Sequence, residues 1–309
     1  MPDLILHHYA GSPFSEKVRL ILGFKGLAWR SVMVPNVMPK PDVVALTGGY
    51  RRTPFMQIGA DIYCDTALMC RVIDAIKPEP PLYPASTSGI AEIVAQWADT
   101  TLFWTAVPFT LQPAGAVHVL KDATPEMLKA FGADRAAMNP NMKRATIADG
   151  AAALGAYLVR LEHLLADGQP FLLGALPSIA DFSAAQSIWF IHLAPPVAEV
   201  LAAYPKVAAW YARVRGFGHG TFTKMKSAEA IEVATQGGHV PLSFTAEPGL
   251  AEGDDVTVMP TDYAHDAVAG KLVGLSPREV VIARTDERAG AVHVHFPRIA
   301  FQIKRLQPA

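Results

Sequence analysis

Apolar residues recur with two different periods near the start of the chain. Residues 4–8 are a short apolar run and read as a strand. Gly11, Ser12 and Pro13 then mark a turn. Beyond it Phe14, Val18, Ile21 and Leu22 fall at i, i+4, i+7 and i+8, the spacing of a helix with one buried face. Gly26 sits where a helix end favours a left-handed residue. Residues 29–34 predict a second strand, followed by a polar, Pro-containing stretch read as loop. Phe55–Ile58 and Asp61–Cys64 predict a hairpin turned at Gly59-Ala60. Asp65 and Thr66 open a helix carrying Leu68, Val72 and Ile76 on one face, and Lys77, Pro78, Pro80 and Pro81 end it. The order β-α-β, then β-β-α, is complete near residue 78.

The pattern then changes twice. Residues 79–88 are rich in Pro and Ser, the composition of a linker. From 89 to about 225 the periodicity is helical, most clearly over 90–104, 142–165, 179–192 and 207–214. Ser178 and Asp181 have the spacing of a capping box, with Pro177 and Phe182 placed as a hydrophobic staple. After Gly237-Gly238 the segments 256–259, 267–273, 279–283, 291–296 and 299–303 read as short strands. Their spacing predicts a small antiparallel barrel or sandwich over residues 240–309. The expected organisation is therefore 1–78, a linker at 79–88, an all-helical unit over 89–225, and a β-rich module over 240–309. A chain of 309 residues is long enough for about two or three such units.

Composition narrows the function classes. With 27 Lys+Arg against 28 Asp+Glu, the formal net charge is −1, which predicts neither a polyanionic partner nor strong steering. Arg298, Lys304 and Arg305 form a mild basic cluster without interleaved aromatics, so nucleic acid is not an expected partner. The longest apolar stretch, 188–201, is broken by His192, two prolines and Glu199, too short to span a bilayer. No basic, then apolar, cleavable leader is legible at the start. The two cysteines, Cys64 and Cys70, offer neither a metal spacing nor a disulfide framework, which fits a reducing compartment.

A strand, then Ser12-Pro13-Phe14-Ser15, then a helix with Val18-Arg19 resembles the start of a glutathione transferase. So do Thr53-Pro54 before a strand, Asp65-Thr66 at a helix start, and the capping box within an all-helical second half. The resemblance covers roughly residues 1–225. It implies a thioredoxin-like domain followed by an all-α domain, with glutathione as co-substrate, an apolar electrophile as second substrate, a homodimer and a cytoplasmic protein. It leaves 240–309 without a family.

Glutathione chemistry needs a thiolate, and a free thiol with a pKa near 8.5 supplies only a small fraction of it at neutral pH. A hydroxyl at a helix N-terminus offers the sulfur both a hydrogen bond and a favourable dipole. Ser12 holds the position that zeta-like and theta-like members use, and is otherwise a turn residue or helix cap. Tyr9 is its rival, near the place where other classes carry a tyrosine; Ser15 is a third candidate. Having Ser rather than Cys at 12 argues against mixed-disulfide chemistry there. By the same resemblance Thr53 and Pro54 would hold the cysteinyl segment, Asp65 the ammonium, and Thr66 the γ-glutamyl carboxylate. Lys40, Arg51 and Arg52 are candidates for the glycyl carboxylate, against a plain solvated role for each.

Trp97, Phe103 and Trp104 are candidates for an apolar wall, or else core. Cys64 reads as a small buried residue. His293 and His295 share a strand face, but no third ligand is evident nearby, so the expectation is a solvated face and no metal. Alternatives on the same fold are a non-catalytic glutathione-binding or interaction protein, and a glutathione-dependent isomerase or dehalogenase.

Overall fold

The computed structural model describes residues 3–140 and 145–306. The first unit comprises β1 (Ile5–His8), α1 (Pro13–Phe24), β2 (Ala28–Met33), α2 (Pro41–Thr47), β3 (Phe55–Ile58), β4 (Asp61–Cys64) and α3 (Thr66–Ile76). The helical unit follows: α4 (Ser88–Trp97), a π turn (Ala98–Leu102), α5 (Phe103–Thr110), α6 (Pro113–Val119), α7 (Pro125–Met138), α8 (Ile147–Leu164), α9 (Ile179–His192), α10 (Pro195–Ala198), a 3-10 turn (Glu199–Ala203) and α11 (Pro205–Arg215). The chain then returns to the sheet with β5 (Thr221–Met225) and α12 (Ser227–Gln236). It ends with β6 (Asp255–Pro260), β7 (Val268–Leu275), β8 (Glu279–Asp286), β9 (Gly290–Pro297) and β10 (Phe301–Arg305).

The ten strands of the described residues form one sheet in the order β10-β6-β7-β8-β9-β4-β3-β1-β2-β5. The centre is the thioredoxin arrangement: β1 parallel to β2, and β3 antiparallel to both β1 and β4. Both edges of that centre are covered. β5 lies parallel on β2, and β9 lies parallel on β4 with Asp61 opposite His293 and Tyr63 opposite His295. Open edges present unpaired backbone groups, and here later parts of the chain satisfy them.

Alternation along the strands divides the interior in two. Leu4, Leu6, Met56 and Tyr63 join α1, α3 and the helical unit in one core. Ile5, Phe55, Ile62 and Cys64 face the opposite way, into a core shared with Val43 and Leu46 of α2, Ala230 and Ala234 of α12, and Val256, Leu272, Val292, Val294 and Phe296. The C-terminal strands are antiparallel to one another, as expected. They do not build a core of their own. β9 and β10 are joined by three residues, yet among the described residues β10 pairs only with β6, so the sheet curls, and its apolar face shares a core with α2 and β4.

Several local expectations change. The polar stretch after β2 contains α2, started by Pro41 and stopped by Gly48 at φ +74°. The helix expected over 90–104 is interrupted by the π turn. The helix expected from 142 is described from Ile147, with Thr146 accepting from the Asp149 amide; its first residues lie outside the described ones. Residues 221–225, read as the end of the helical unit, form β5, and 227–236, which no expected unit includes, form α12. The Pro-rich linker is anchored by Lys25, whose buried Nζ donates to the carbonyls of Lys77 (2.8 Å), Pro78 (3.3 Å) and Pro80 (2.6 Å) and to Asp74.

The box at the start of α9 is built on one carboxylate. Asp181 accepts from the Ser178 amide (2.8 Å) and hydroxyl (3.1 Å), the Leu172 amide (2.8 Å) and the Trp210 indole (2.8 Å), all in the interior. Asp181→Ala strands three buried N–H donors at about 1–3 kcal/mol each. The expected outcome is a loss of about 3 kcal/mol or more in urea denaturation, with Asp181→Asn losing less.

Candidate active site

The turn after β1 is held from beneath by a buried polar network. The Arg19 guanidinium meets Glu16 (2.7 Å) and His8 Nδ1 (3.0 Å) and donates to the Ala10 carbonyl (3.2 Å). His8 reaches Ser31 at 2.8 Å, and Glu16 meets His219 at 3.0 Å. Burial and the adjacent Arg19 charge push His8 down to about 3, so its ring is neutral. On this base Ser12 caps α1: its Oγ accepts from the Ser15 amide at 3.2 Å and lies 3.5 Å from the Thr53 carbonyl. Tyr9 is half-buried, and its carbonyl accepts from the Ser12 amide.

Facing this helix end, the Thr53–Pro54 peptide is cis. Among the described residues the Thr53 amide donates to no protein group. Lys40 is buried behind it, donating to Thr53 Oγ1 (3.3 Å) and the Arg51 carbonyl (3.1 Å). Asp65, at φ +71°, caps α3 by accepting from the Ala67 amide at 2.9 Å. The Thr66 hydroxyl accepts from Lys17 at 3.3 Å. Lys17 is fully buried and paired with Asp99 of the π turn at 2.6 Å, and Asp99 also accepts from Gln186 at 2.6 Å.

A cavity of about 490 Å³ opens between these elements. Phe14, Lys17, Arg52, Thr53, Pro54, Asp65 and Thr66 line it. Ser12, Tyr9 and Lys40 are not on its surface; Ser12 and Lys40 sit one layer behind Thr53. Its roof is a surprise of the tertiary structure. Arg52 pairs with Asp262 and donates to the Tyr263 carbonyl, and its guanidinium lies 3.8 Å from the Tyr263 ring centre. Arg51 pairs with Asp134 of α7 and lies 4.0 Å from Asp266. The basic segment before Pro54 therefore finds its counter-charges in α7 and in the C-terminal module, whose Asp262 and Tyr263 also line the cavity.

The expected aromatic wall is displaced by one layer. Phe103 stands behind Phe14 (4.7 Å between ring centres) and Trp104 edge-on behind Tyr263 (5.2 Å), while Trp97 packs on Tyr157. Cys64 is fully buried, and burial pushes its thiol well up.

The expectation of a solvated histidine face is overturned. His295 is 1% exposed and stands between Asp61 (3.0 Å) and Glu279 (2.7 Å). Burial opposes its charge, yet these two carboxylates raise it above the ordinary histidine range. His293 is held below that range by burial and by the His239 ring stacked on it at 3.6 Å. The third group thought to be lacking is present: Asp61 and His239 both meet His293.

Two family profiles match the chain: glutathione S-transferase N-terminal domain over residues 6–81 and C-terminal domain over 144–213. A GST-like protein of Pseudomonas syringae is 42% identical over 99% of this chain and 100% of its own, with a TM-score of 0.83. The chain belongs to the glutathione transferase superfamily. A glutathione S-transferase from Rhodospirillum rubrum F11 (22% identity, 69% of this chain, 87% of that one, TM-score 0.52) shares the fold. So does FzlA from C. crescentus (22%, 81% and 95%, TM-score 0.51). A comparison with curated protein sequences found no match. The glutathione transferase fold here carries its C-terminal β module in common with the Pseudomonas syringae protein, which matches nearly the full length. Among the described residues no helix is long and apolar enough to cross a membrane.

Sequence reasoning missed Lys17, Asp99, Asp262 and Tyr263. Lys17 left one signal, a lysine beside Val18 on the buried face of a helix; the others have partners more than eighty positions away.

Lys40 yields a pH test. Burial, with Arg135 and Arg51 nearby, pushes its ammonium from 10.5 down to about 8. Below pH 8 both folded and unfolded chains hold the proton, and the folded one bears the full cost of the buried charge. Between pH 8 and 10.5 the folded chain releases it first, so stability climbs with pH. Lys40→Met removes this contribution, roughly 3 kcal/mol, and denaturation across that window should show a flatter profile than the wild type.

Proposed function

We propose that this protein is a glutathione-dependent transferase. In this reading glutathione lies along the Thr53–Pro54 segment, the free Thr53 amide donates to the cysteinyl carbonyl, and the thiol points at the N-terminus of α1. The observation that carries the reading is the convergence of three elements on one cavity: the start of α1 at Phe14 with its Ser12 cap one layer behind Thr53, the Thr53–Pro54 segment whose Thr53 amide meets no acceptor among the described residues, and the α3 N-terminus with Asp65 and Thr66.

Each end of glutathione then finds chemistry suited to it. Asp65 takes the α-ammonium. The Thr66 amide and hydroxyl take the γ-glutamyl carboxylate, with the Lys17 ammonium behind them. Arg52 takes the glycyl carboxylate by exchanging part of its pairing with Asp262. At the sulfur, the Ser12 hydroxyl turns from the Thr53 carbonyl to donate to the thiolate, and the thiol proton passes to solvent. The thiolate attacks an electrophilic carbon held against Phe14 and Tyr263, forming a C–S bond as the leaving group or displaced electron pair departs.

A hydrogen bond to a charged group is worth about 1.5–3 kcal/mol, which corresponds to about 1–2 units in the thiol pKa. Calorimetry of glutathione binding in buffers of different ionisation enthalpy reads the proton released. The wild type should release one near neutral pH. Ser12→Ala should bind with the thiol pKa raised by about 1–2 units, losing about 1 kcal/mol of stability with the cap. Tyr9→Phe should leave proton release unchanged; if it abolishes release while Ser12→Ala does not, the thiolate role belongs to Tyr9. Binding without turnover of any electrophile would favour a glutathione-binding protein, and absence of binding would end the proposal.

A further inference from the structure

At the far end of β4 from Asp65, about 13 Å away along the strand, lies a second cluster that glutathione chemistry does not use. It forms where four pieces of chain meet: the β3–β4 turn, the crossover after α12, β8 and β9. The crossover passes directly over the turn. A Cβ on Gly237 would fall 2.6 Å from the Gly59 carbonyl carbon, so only glycine permits the approach. The Ala60 amide donates to the Gly238 carbonyl (3.3 Å), and the Val240 amide donates to Asp61 Oδ2 (2.7 Å). These contacts deliver His239 to the side of Asp61 that β9 already flanks with His293 and His295.

The distances within the cluster separate two kinds of contact. His295 Nε2 is 3.0 Å from Asp61 Oδ1, a hydrogen bond, and Glu279 holds its other nitrogen at 2.7 Å. His239 Nδ1 and His293 Nδ1 lie 3.4 and 3.6 Å from the same oxygen, too far for good hydrogen bonds. Among the described residues His293 Nδ1 is buried without any partner. Two ligand atoms each about 2.0–2.1 Å from a tetrahedral ion are about 3.3–3.4 Å apart. One oxygen and two imidazole nitrogens thus lie within 4.8 Å of one another, at separations close to those of a metal's ligands; the His239 and His293 rings are stacked nearly parallel, so His239 has to turn to aim its nitrogen at a shared ion.

We propose that Asp61, His239 and His293 bind a divalent transition-metal ion of the zinc type, and that the ion pins the crossover to the junction of β4 and β9. Two imidazoles and one carboxylate favour such an ion over Mg²⁺ or Ca²⁺, which take oxygen ligands. His295 and the Val240 amide orient the Asp61 carboxylate, and Glu279 orients His295, the supporting shell that metal carboxylates need. The His239 side chain is partly exposed, which gives the ion a route in from solvent.

The test uses the full chain after treatment with a chelator, titrated with Zn²⁺ against a chromogenic competitor. The wild type should bind one equivalent, with excess Mg²⁺ failing to displace it, and its melting temperature should rise with Zn²⁺. His239→Ala removes a partly exposed ligand and should leave the metal-free melting temperature unchanged. It should weaken binding on the order of 100-fold, at or beyond the loss seen when a supporting group is removed. His293→Gln should do the same. Absence of a stoichiometric site in the wild type, displacement by Mg²⁺, or an equivalent retained by the double variant His239→Ala/His293→Gln would each overturn the proposal.

Discussion

The pairing of β9 with β4 is the contact on which the rest of the structure depends. A thioredoxin-like sheet ends at β4 with a row of unsatisfied backbone groups. Here the register that sets Asp61 opposite His293 fills that row and continues the sheet into five further strands. Because side chains alternate, the same register sends Val292, Val294 and Phe296 into the core beneath α2, and sends His293 and His295 to the side where Asp61 and Tyr63 lie. A slip of one residue would turn the histidines into that apolar core and set the valines against Asp61.

Once the module is attached, it can act on the candidate active site. Its curled sheet returns β10 beside β6 and places Asp262 and Tyr263 at the cavity. Asp262 and Tyr263 meet Arg52 there, and Asp266 approaches Arg51. Two adjacent arginines in a half-buried loop are costly without partners. The acids that answer them come from α7 and from the module, so the basic loop and the C-terminal strands are parts of one electrostatic arrangement. The same module contributes Tyr263 to the cavity wall, backed edge-on by Trp104.

Much of the first unit was legible because its elements are local. The hairpin at Gly59-Ala60, the α1 face of Val18, Ile21 and Leu22, and the Asp181 capping box each depend on residues a few positions apart. The helix α2 escaped notice because seven residues are too few for a periodic signal, and prolines around it read as loop. β5 escaped because its residues are exposed and its only reason to be a strand is the free edge of β2. The histidines of β9 were placed correctly on one face. What that face meets was not legible, because Asp61 and His239 lie 232 and 54 positions away.

By itself the sequence determined which segments are strands or helices wherever periodicity and caps act over a turn or two, and which residues stand at the α1 and α3 N-termini. The tertiary structure alone decided that the C-terminal strands extend the central sheet instead of enclosing a core of their own. It alone decided that Arg52 is answered by Asp262, and that His239 and His293 converge on Asp61. The physical reason is range. Helix caps and amphipathic faces are set by neighbours along the chain, whereas sheet edges and buried charges are satisfied by whichever distant segment completes them.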